Sequence, residues 1–188
     1  MTEKVILVDT KDTVIGEMEK LEAHQKAHLH RAVSVFIFNS KGQLLIQKRA
    51  LNKYHSPGLW TNTACTHPFP EESAKNAARR RLKEEMGLIV DDIIKIFDFI
   101  YKEKLDNDLT EHEFDHVFIG ISDDLPVLKP SEVYDYKYIG LEVIMEQIKN
   151  RPNDFIVWFK KIIEKIQMEF HDKIIQAIEQ FKNKTYDP

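Results

Sequence analysis

Cys65 is the only cysteine among 188 residues, and His67 follows two positions on, within the run WTNTACTHP. A thiol and an imidazole this close together suit proton transfer or metal ligation. Taken alone, a single cysteine is as well explained as a small buried hydrophobe. Glu111 and Glu113 stand in TEHEFDHVFIGI. The two-residue period of a strand puts both carboxylates on one face, followed there by Val117, Ile119 and Ile121. Adjacent carboxylates repel, so a cation is the natural reason to keep them; an exposed strand end is the plainer alternative. His24, His28 and His30 crowd into seven positions. His24 and His30 do not share a helical face, so any metal they hold is assembled by the fold, and solvated imidazoles are the bland reading. His112 and His116 fall opposite Glu111 and Glu113 and are not counted as ligands.

The element that must position the Cys65 segment is the helix after it. Glu71, Glu72 and Ser73 mark its start, since acidic residues suit the partial positive charge of a first turn. Gly87 marks its end. At about 100° per residue, Ala74, Ala77, Ala78 and Leu82 share the buried arc. Arg81 and Glu85 project into the same arc, whereas Arg79, Arg80, Lys83 and Glu84 lie outside or at its edge. A charged pair on a buried side costs desolvation unless it is paired or binds something. A structural Arg81–Glu85 salt bridge is one reading, and a binding site is the other. Upstream, Lys48, Arg49 and Lys53 precede the Pro57-Gly58 turn. Such a cluster is often a solvated loop; feeding into the Cys65 segment, it reads better as a diphosphate clamp.

Around these stretches, strands are expected at residues 4–9, 14–17, 31–39, 43–48, 93–101 and 134–138, with a Gly42 hairpin joining the third and fourth. Residues 20–30 read as less regular. A short helix is expected over 141–148. A long one should start at Asp154 as N-cap and run to about Lys182, on apolar positions from Phe155 and Trp158 to Ile178 and Phe181. Its final turns are a candidate surface for a homodimer. The whole reads as one mixed α/β domain over residues 1–182 with a frayed tail at 183–188. The net charge of −4 argues against nucleic acid or an anionic membrane surface as partner. No apolar run approaches the roughly 18 residues of a membrane span. With no secretory signal and one cysteine, which cannot form an internal disulfide, a cytoplasmic location is expected.

Residues 66–88 resemble a Nudix box, G-x5-E-x7-R-E-U-x-E-E-x-G-U. Glu72, Arg80, Leu82, Glu84, Glu85, Gly87 and Leu88 fit it, while Thr66 replaces the first Gly and Arg81 replaces a Glu. Joined to T-N-x-x-C-x-H-P, the box is similar to that of the type I isopentenyl-diphosphate isomerases of the Nudix superfamily, and the likeness runs over about residues 4–158. It implies a Nudix-like α/β/α sandwich with a central mixed sheet, extended here by the long C-terminal helix. It implies an Mg²⁺, Mn²⁺ or Zn²⁺ site from His24, His30, His67, Glu111 and Glu113, with His24 favoured over His28. It places a second Mg²⁺ on the substrate diphosphate at Glu85, diphosphate contacts at Lys20, Arg49, Lys53 and Arg81, and no flavin. Cys65 and Glu113 match the family's proton-transferring pair, Tyr101 the tyrosine that assists them, and Trp158 the tryptophan that stabilises a carbocation. Trp60 is expected to line the same pocket; for both indoles the alternative is core packing. The implied reaction shifts the double bond of isopentenyl diphosphate to give dimethylallyl diphosphate. The competing readings are a Nudix diphosphohydrolase acting on an isoprenoid or nucleoside diphosphate, and a non-catalytic diphosphate-binding module.

Overall fold

The computed structural model describes residues 3–53, 55–105 and 108–186. Its centre is β3 (His30–Phe38), nine residues of which all but Arg31 are buried. A strand covered on both faces reads as a continuous apolar run because neither face needs polar side chains. On one edge β3 pairs in parallel with β8 (Thr110–Ile121), from His30 opposite Glu113 to Phe38 opposite Ile121. On the other edge it meets in turn β1 (Lys4–Val8), β6 (Ala64–Thr66) and β4 (Leu44–Arg49), all antiparallel. β2 (Val14–Glu19) extends the sheet beyond β1, β7 (Ile94–Lys104) beyond β8, and β5 (Trp60–Thr61) and β9 (Val133–Ile139) flank β4.

Alternation along β3 sends Val33, Val35 and Ile37 to the face covered by α2 (Ala74–Met86), where Ala77, Ala78, Leu82 and Met86 are buried. Phe36 and Phe38 point to the opposite face, under α4 (Val157–Lys165) and α5 (His171–Tyr186). α3 (Leu141–Asn150) adds Leu141 and Ile144 to that layer. The result is the expected sheet between helical layers. No helix of the described residues is long and apolar enough to cross a membrane.

Several local expectations are corrected. α2 begins after Ser73, whose side chain accepts from the Asn76 N–H at 3.2 Å, and no acid lies in its first turn. Glu71 takes φ 66°. Glu72 instead accepts the Phe69 N–H at 2.9 Å and pairs with Arg80 at 2.8 Å, closing the turn ahead of the helix. Gly87 ends α2 at φ 66° as anticipated. Residues 20–25, read as irregular, form the short helix α1 (Lys20–Gln25), capped when the Glu19 carboxylate accepts the Glu22 N–H at 3.0 Å. Asp154 is not an N-cap. Pro152–Asp154 form a 3-10 turn, and Ile156 precedes α4 because its N–H is drawn to the Trp60 carbonyl at 3.0 Å. The long helix is interrupted by a π turn at Ile166–Phe170, and α5 continues to Tyr186, past the expected end.

Candidate active site

The face of the sheet that carries Phe36 also carries His30 and Ser34 on β3, and Glu111, Glu113 and Asp115 on β8. Glu113 lies opposite His30. α1 delivers His24 and β6 leads into His67. Ligand atoms of His24, His30, His67 and Glu113 lie within 4.8 Å of one another, all four residues buried. The His24 Nδ1–H donates to the Lys20 carbonyl at 2.7 Å and the His30 Nδ1–H to the His28 carbonyl at 2.8 Å. A carbonyl can only accept, so both Nδ1 atoms carry a hydrogen and Nε2 is the atom each ring turns to the cluster, as in metal-binding histidines. His30 Nε2 is buried without a hydrogen-bond partner, 3.6 Å from Glu113 Oε1. Burial lowers the His24 pKa and pushes His67 down to about 3, so both are neutral. Burial would raise Glu113, but His30 and His67, the latter at 2.9 Å, hold it well below the carboxylate range. Three imidazoles converging on a carboxylate fit a divalent cation. His28, by contrast, is exposed.

Glu111 is not within this four-residue group and joins it through Tyr101. The phenol stands 2.6 Å from Oε2 of both Glu111 and Glu113. It has one hydrogen to give, so the other contact is one it receives. Burial and the Glu113 charge push Glu111 well above the carboxylate range, which makes it the donor to Tyr101 and Glu113 the acceptor.

A cavity of about 880 Å³ opens beside this cluster. Its lining brings together Cys65, His67, Trp158, Lys20, Arg49, Lys53 and Arg81. The register puts Cys65 opposite Ser34, so Cys65 and Glu113 project from strands on opposite edges of β3. Burial, then the Asp115 and Glu85 charges, push the Cys65 thiol up to about 12, so it keeps its proton; the Trp158 indole stands against its sulfur. The S–H donates to Asn62 Oδ1 at 3.0 Å. Arg81, whose Nε–H donates to the Cys65 carbonyl at 3.3 Å, meets Glu85 at 2.5 Å and Glu132 at 2.6 Å. Lys53 meets the same Glu132 oxygen at 2.5 Å. Glu85 is buried behind Arg81. Burial raises its pKa against the pull of Arg81 and of the Gln47 amide, which donates to it at 2.7 Å. Arg81 and Glu85 thus do form a salt bridge, within a wider ionic cluster at the cavity wall. Lys20 pairs with Glu3 at 3.2 Å, and the buried Arg49 Nε has no hydrogen-bond partner.

Trp60 is a correction. It is absent from the cavity lining, and its ring is covered instead by the Lys137 ammonium at 4.3 Å and Lys48 at 5.8 Å. β5 pairs Trp60 with Lys48, so the indole shares a sheet face with Lys48 and packs on the core beneath α4. Glu132, Gln47, Asn62 and the buried Ser34–Asp115 pair, bonded at 2.7 Å, are parts of the site's surroundings that sequence reasoning missed. The alternation that paired Glu111 with Glu113 would have carried one step further to Asp115. Nothing local marks Glu132, which lies 51 residues from Arg81.

Burial would raise Glu132, but hydrogen bonds and charge from Lys53 and Arg81 hold it down to about 2 from 4.5. A carboxylate depressed in the folded state contributes stability that is complete above its unfolded value and is lost as pH falls toward the folded one. Glu132→Gln is therefore expected to melt below wild type at pH 7, with the difference shrinking between about pH 5 and 2. Thermal melts across that range check it, and a constant difference would detach the effect from this carboxylate.

A mixed sheet between helices, with an R-x-x-x-E-E-x-G helix end facing a cation-lined cavity, defines the Nudix class, and the family model described as NUDIX domain matches residues 28–159. The crystal structure of the DR0079 protein from Deinococcus radiodurans has the same fold, at TM-score 0.73 and 20% identity over 87% of this chain and 98% of that one. The MutT protein from Methanosarcina mazei Go1 follows at TM-score 0.61, 22% identity, 75% of this chain and 94% of that one. Among curated proteins, isopentenyl-diphosphate Delta-isomerase 2 of Photorhabdus laumondii is 50% identical over 163 residues, 87% of this chain and 92% of its own. The isopentenyl-diphosphate Delta-isomerase of Pectobacterium atrosepticum is 48% identical over 163 residues, 87% of this chain and 90% of its own. The chain belongs to the NUDIX family and, within it, to the isopentenyl-diphosphate Delta-isomerases.

Proposed function

We propose that this chain interconverts isopentenyl diphosphate and dimethylallyl diphosphate. The observation that carries the reading is a proton-bearing thiol, Cys65, and an ionised carboxylate, Glu113, on opposite edges of β3 beside a cation-lined cavity. An alkene is a weak base, so its protonation needs a positioned acid and leaves a tertiary cation. Loss of a proton from the allylic carbon then completes the shift, with no change of oxidation state and no need of a flavin. Cys65 and Glu113 carry the two transfers. Tyr101, bonded to both glutamates, holds Glu113 in place and supplies it with a proton path. The Trp158 face excludes water and stabilises the cation, by ~2 kcal/mol or more in a desolvated site. Lys20, Arg49, Lys53 and Arg81 hold the diphosphate. Mg²⁺, Mn²⁺ or Zn²⁺, when bound, would be held by His24, His30, His67 and Glu113 with Glu111 beside them and would supply fixed positive charge to the site, and Glu85, paired here with Arg81 and Gln47, would help hold a second Mg²⁺ that offsets the diphosphate charge.

The hydrolase reading is not favoured, because a guanidinium at position 81 cannot serve as the base that activates water. The non-catalytic reading leaves the thiol and phenol without a purpose. A free cysteine in the working site supports a reducing, cytoplasmic setting. Self-association through the C-terminal helix is supported by exposed Met168 and Ile175. It predicts a concentration-dependent sedimentation coefficient, and a constant monomer value would exclude it.

The deciding experiment is proton NMR of isopentenyl diphosphate with the protein and Mg²⁺ in D₂O, with phosphate followed in the same tube. Deuterated dimethylallyl diphosphate without phosphate release is expected. Phosphate release with an unmoved double bond would turn the reading into hydrolysis.

A further inference from the structure

Two of the cations that line the cavity share a single partner. Lys53 Nζ and Arg81 Nη2 both donate to one atom, Oε2 of Glu132, at 2.5 and 2.6 Å. An oxygen shared by an ammonium and a guanidinium is bonded as a bridging phosphoryl oxygen would be. The backbone that carries Glu132 is fixed. Its N–H donates to the Lys129 carbonyl at 2.9 Å, its carbonyl accepts from the Ala50 N–H at 3.0 Å, and the Lys129 N–H is tied to Glu85 at 2.9 Å. Only the side chain can move without breaking these backbone bonds. Arg49 differs: among the described residues its buried Nε has no hydrogen-bond partner, and its side chain makes long contacts to His55, 3.3 Å to the carbonyl and 3.4 Å to the ring.

We propose that Glu132 is a specificity-determining residue, an internal anion seated between Lys53 and Arg81 that only a polyvalent phosphate chain displaces. This rests on the reading of the cavity as a diphosphate site. A diphosphate engages Arg49 and Lys20 while its other end takes the place of the carboxylate, and the added contacts outweigh the two it breaks. A single phosphate or sulfate reaches one seat at a time, and to take the Lys53–Arg81 seat it must evict a group already bonded there without the added contacts at Arg49 and Lys20. Glu132 thereby keeps the abundant small anions of the solution out of that seat. Because it leaves by rotating its side chain, the selection needs no movement of the sheet or of α2.

Calorimetric titration of inorganic pyrophosphate and of inorganic phosphate, with Mg²⁺ present, into wild type and Glu132→Gln tests this. The neutral amide is expected to let phosphate bind at least tenfold tighter than in wild type. Pyrophosphate should gain less, so that the ratio of the two affinities falls. Phosphate affinity that is unchanged or weaker in Glu132→Gln would overturn the proposal and make the carboxylate a support for the two cations. Should the amide variant not fold, Glu132→Asp, one methylene too short to reach both cations, is expected to shift phosphate affinity in the same direction by less, and no shift there also overturns it. Failure of either anion to bind any of these proteins would overturn the diphosphate reading together with this one. Pyrophosphate binding without the change in selectivity would overturn this one alone.

Discussion

Cys65→Ala is expected to lower the turnover of isopentenyl diphosphate by about 10²–10⁴-fold, the range associated with a positioned proton donor, and to leave the fold and the metal affinity as they are. The sulfur faces the cavity between the Asn62 side chain, to which it donates, and the Trp158 indole, whereas β6 is held by backbone pairing with β3 that a methyl side chain does not disturb. None of the four residues of the His/Glu cluster is Cys65, so metal should bind with wild-type stoichiometry. Water is a poor substitute for this acid, because the buried Trp158 indole lines the cavity beside the sulfur. Deuterium incorporation from D₂O, followed by NMR in the variant, is the measurement. Turnover near that of wild type would remove the thiol from the mechanism.

Glu113→Gln should do more, since one carboxylate serves two purposes. Its Oε1 lies 2.9 Å from His67 Nε2 and 3.6 Å from His30 Nε2, and its Oε2 accepts from Tyr101. An amide keeps the shape and loses the charge. Outer-shell partners of metal ligands are worth about 10–100-fold in affinity, so the loss of an ionised group inside the cluster is expected to exceed about 100-fold. Turnover should fall with it. Metal analysis of the purified variant separates the two purposes: a full complement of metal with no activity would show that Glu113 moves a proton but is not needed to hold the ion.

How much of this could be read from the chain depended on whether the signal was local. The period of two in β8 put Glu111, Glu113, Val117 and Ile119 on one face because a pleated strand allows little else, and the period of α2 put Arg81 and Glu85 at a wall of the site. His24 was legible as a residue and not as part of a helix. Residues 20–25 form only six residues of α1, too short to show an amphipathic repeat, and depend on the Glu19 cap. Trp60 was misplaced because its two-residue strand has no periodicity of its own; its direction is set by pairing with Lys48. The start of α4 moved from Asp154 because the Trp60 carbonyl competes for the Ile156 N–H, a contact across 96 residues. Glu132 was invisible for the same reason. Tertiary partners outbid local preference at each of these places, and a single sequence does not display them.

The π turn at Ile166–Phe170 bears on how the C-terminal helix tolerates insertions and deletions. A π turn bonds i to i+5 and so accommodates one residue more than the α-helical ladder around it. Trp158, Phe159, Ile162 and Ile163 before it, and Ile174 and Ile178 after it, all face the same core. Removing one residue from the turn would let it relax to regular helix with almost no change of phase, because five residues at the π pitch sweep about the same angle as four at the α pitch. Ile174 and Ile178 would keep their facing toward the core. A second deletion, with no surplus left to absorb it, would rotate everything downstream by about 100° and carry both residues toward water. The chain length between Trp158 and Ile174 is therefore under a constraint of phase that the π turn relaxes by one residue. A single-residue deletion in the turn should be tolerated and a double deletion should lower the melting temperature sharply, even though no atom of the active site would be altered.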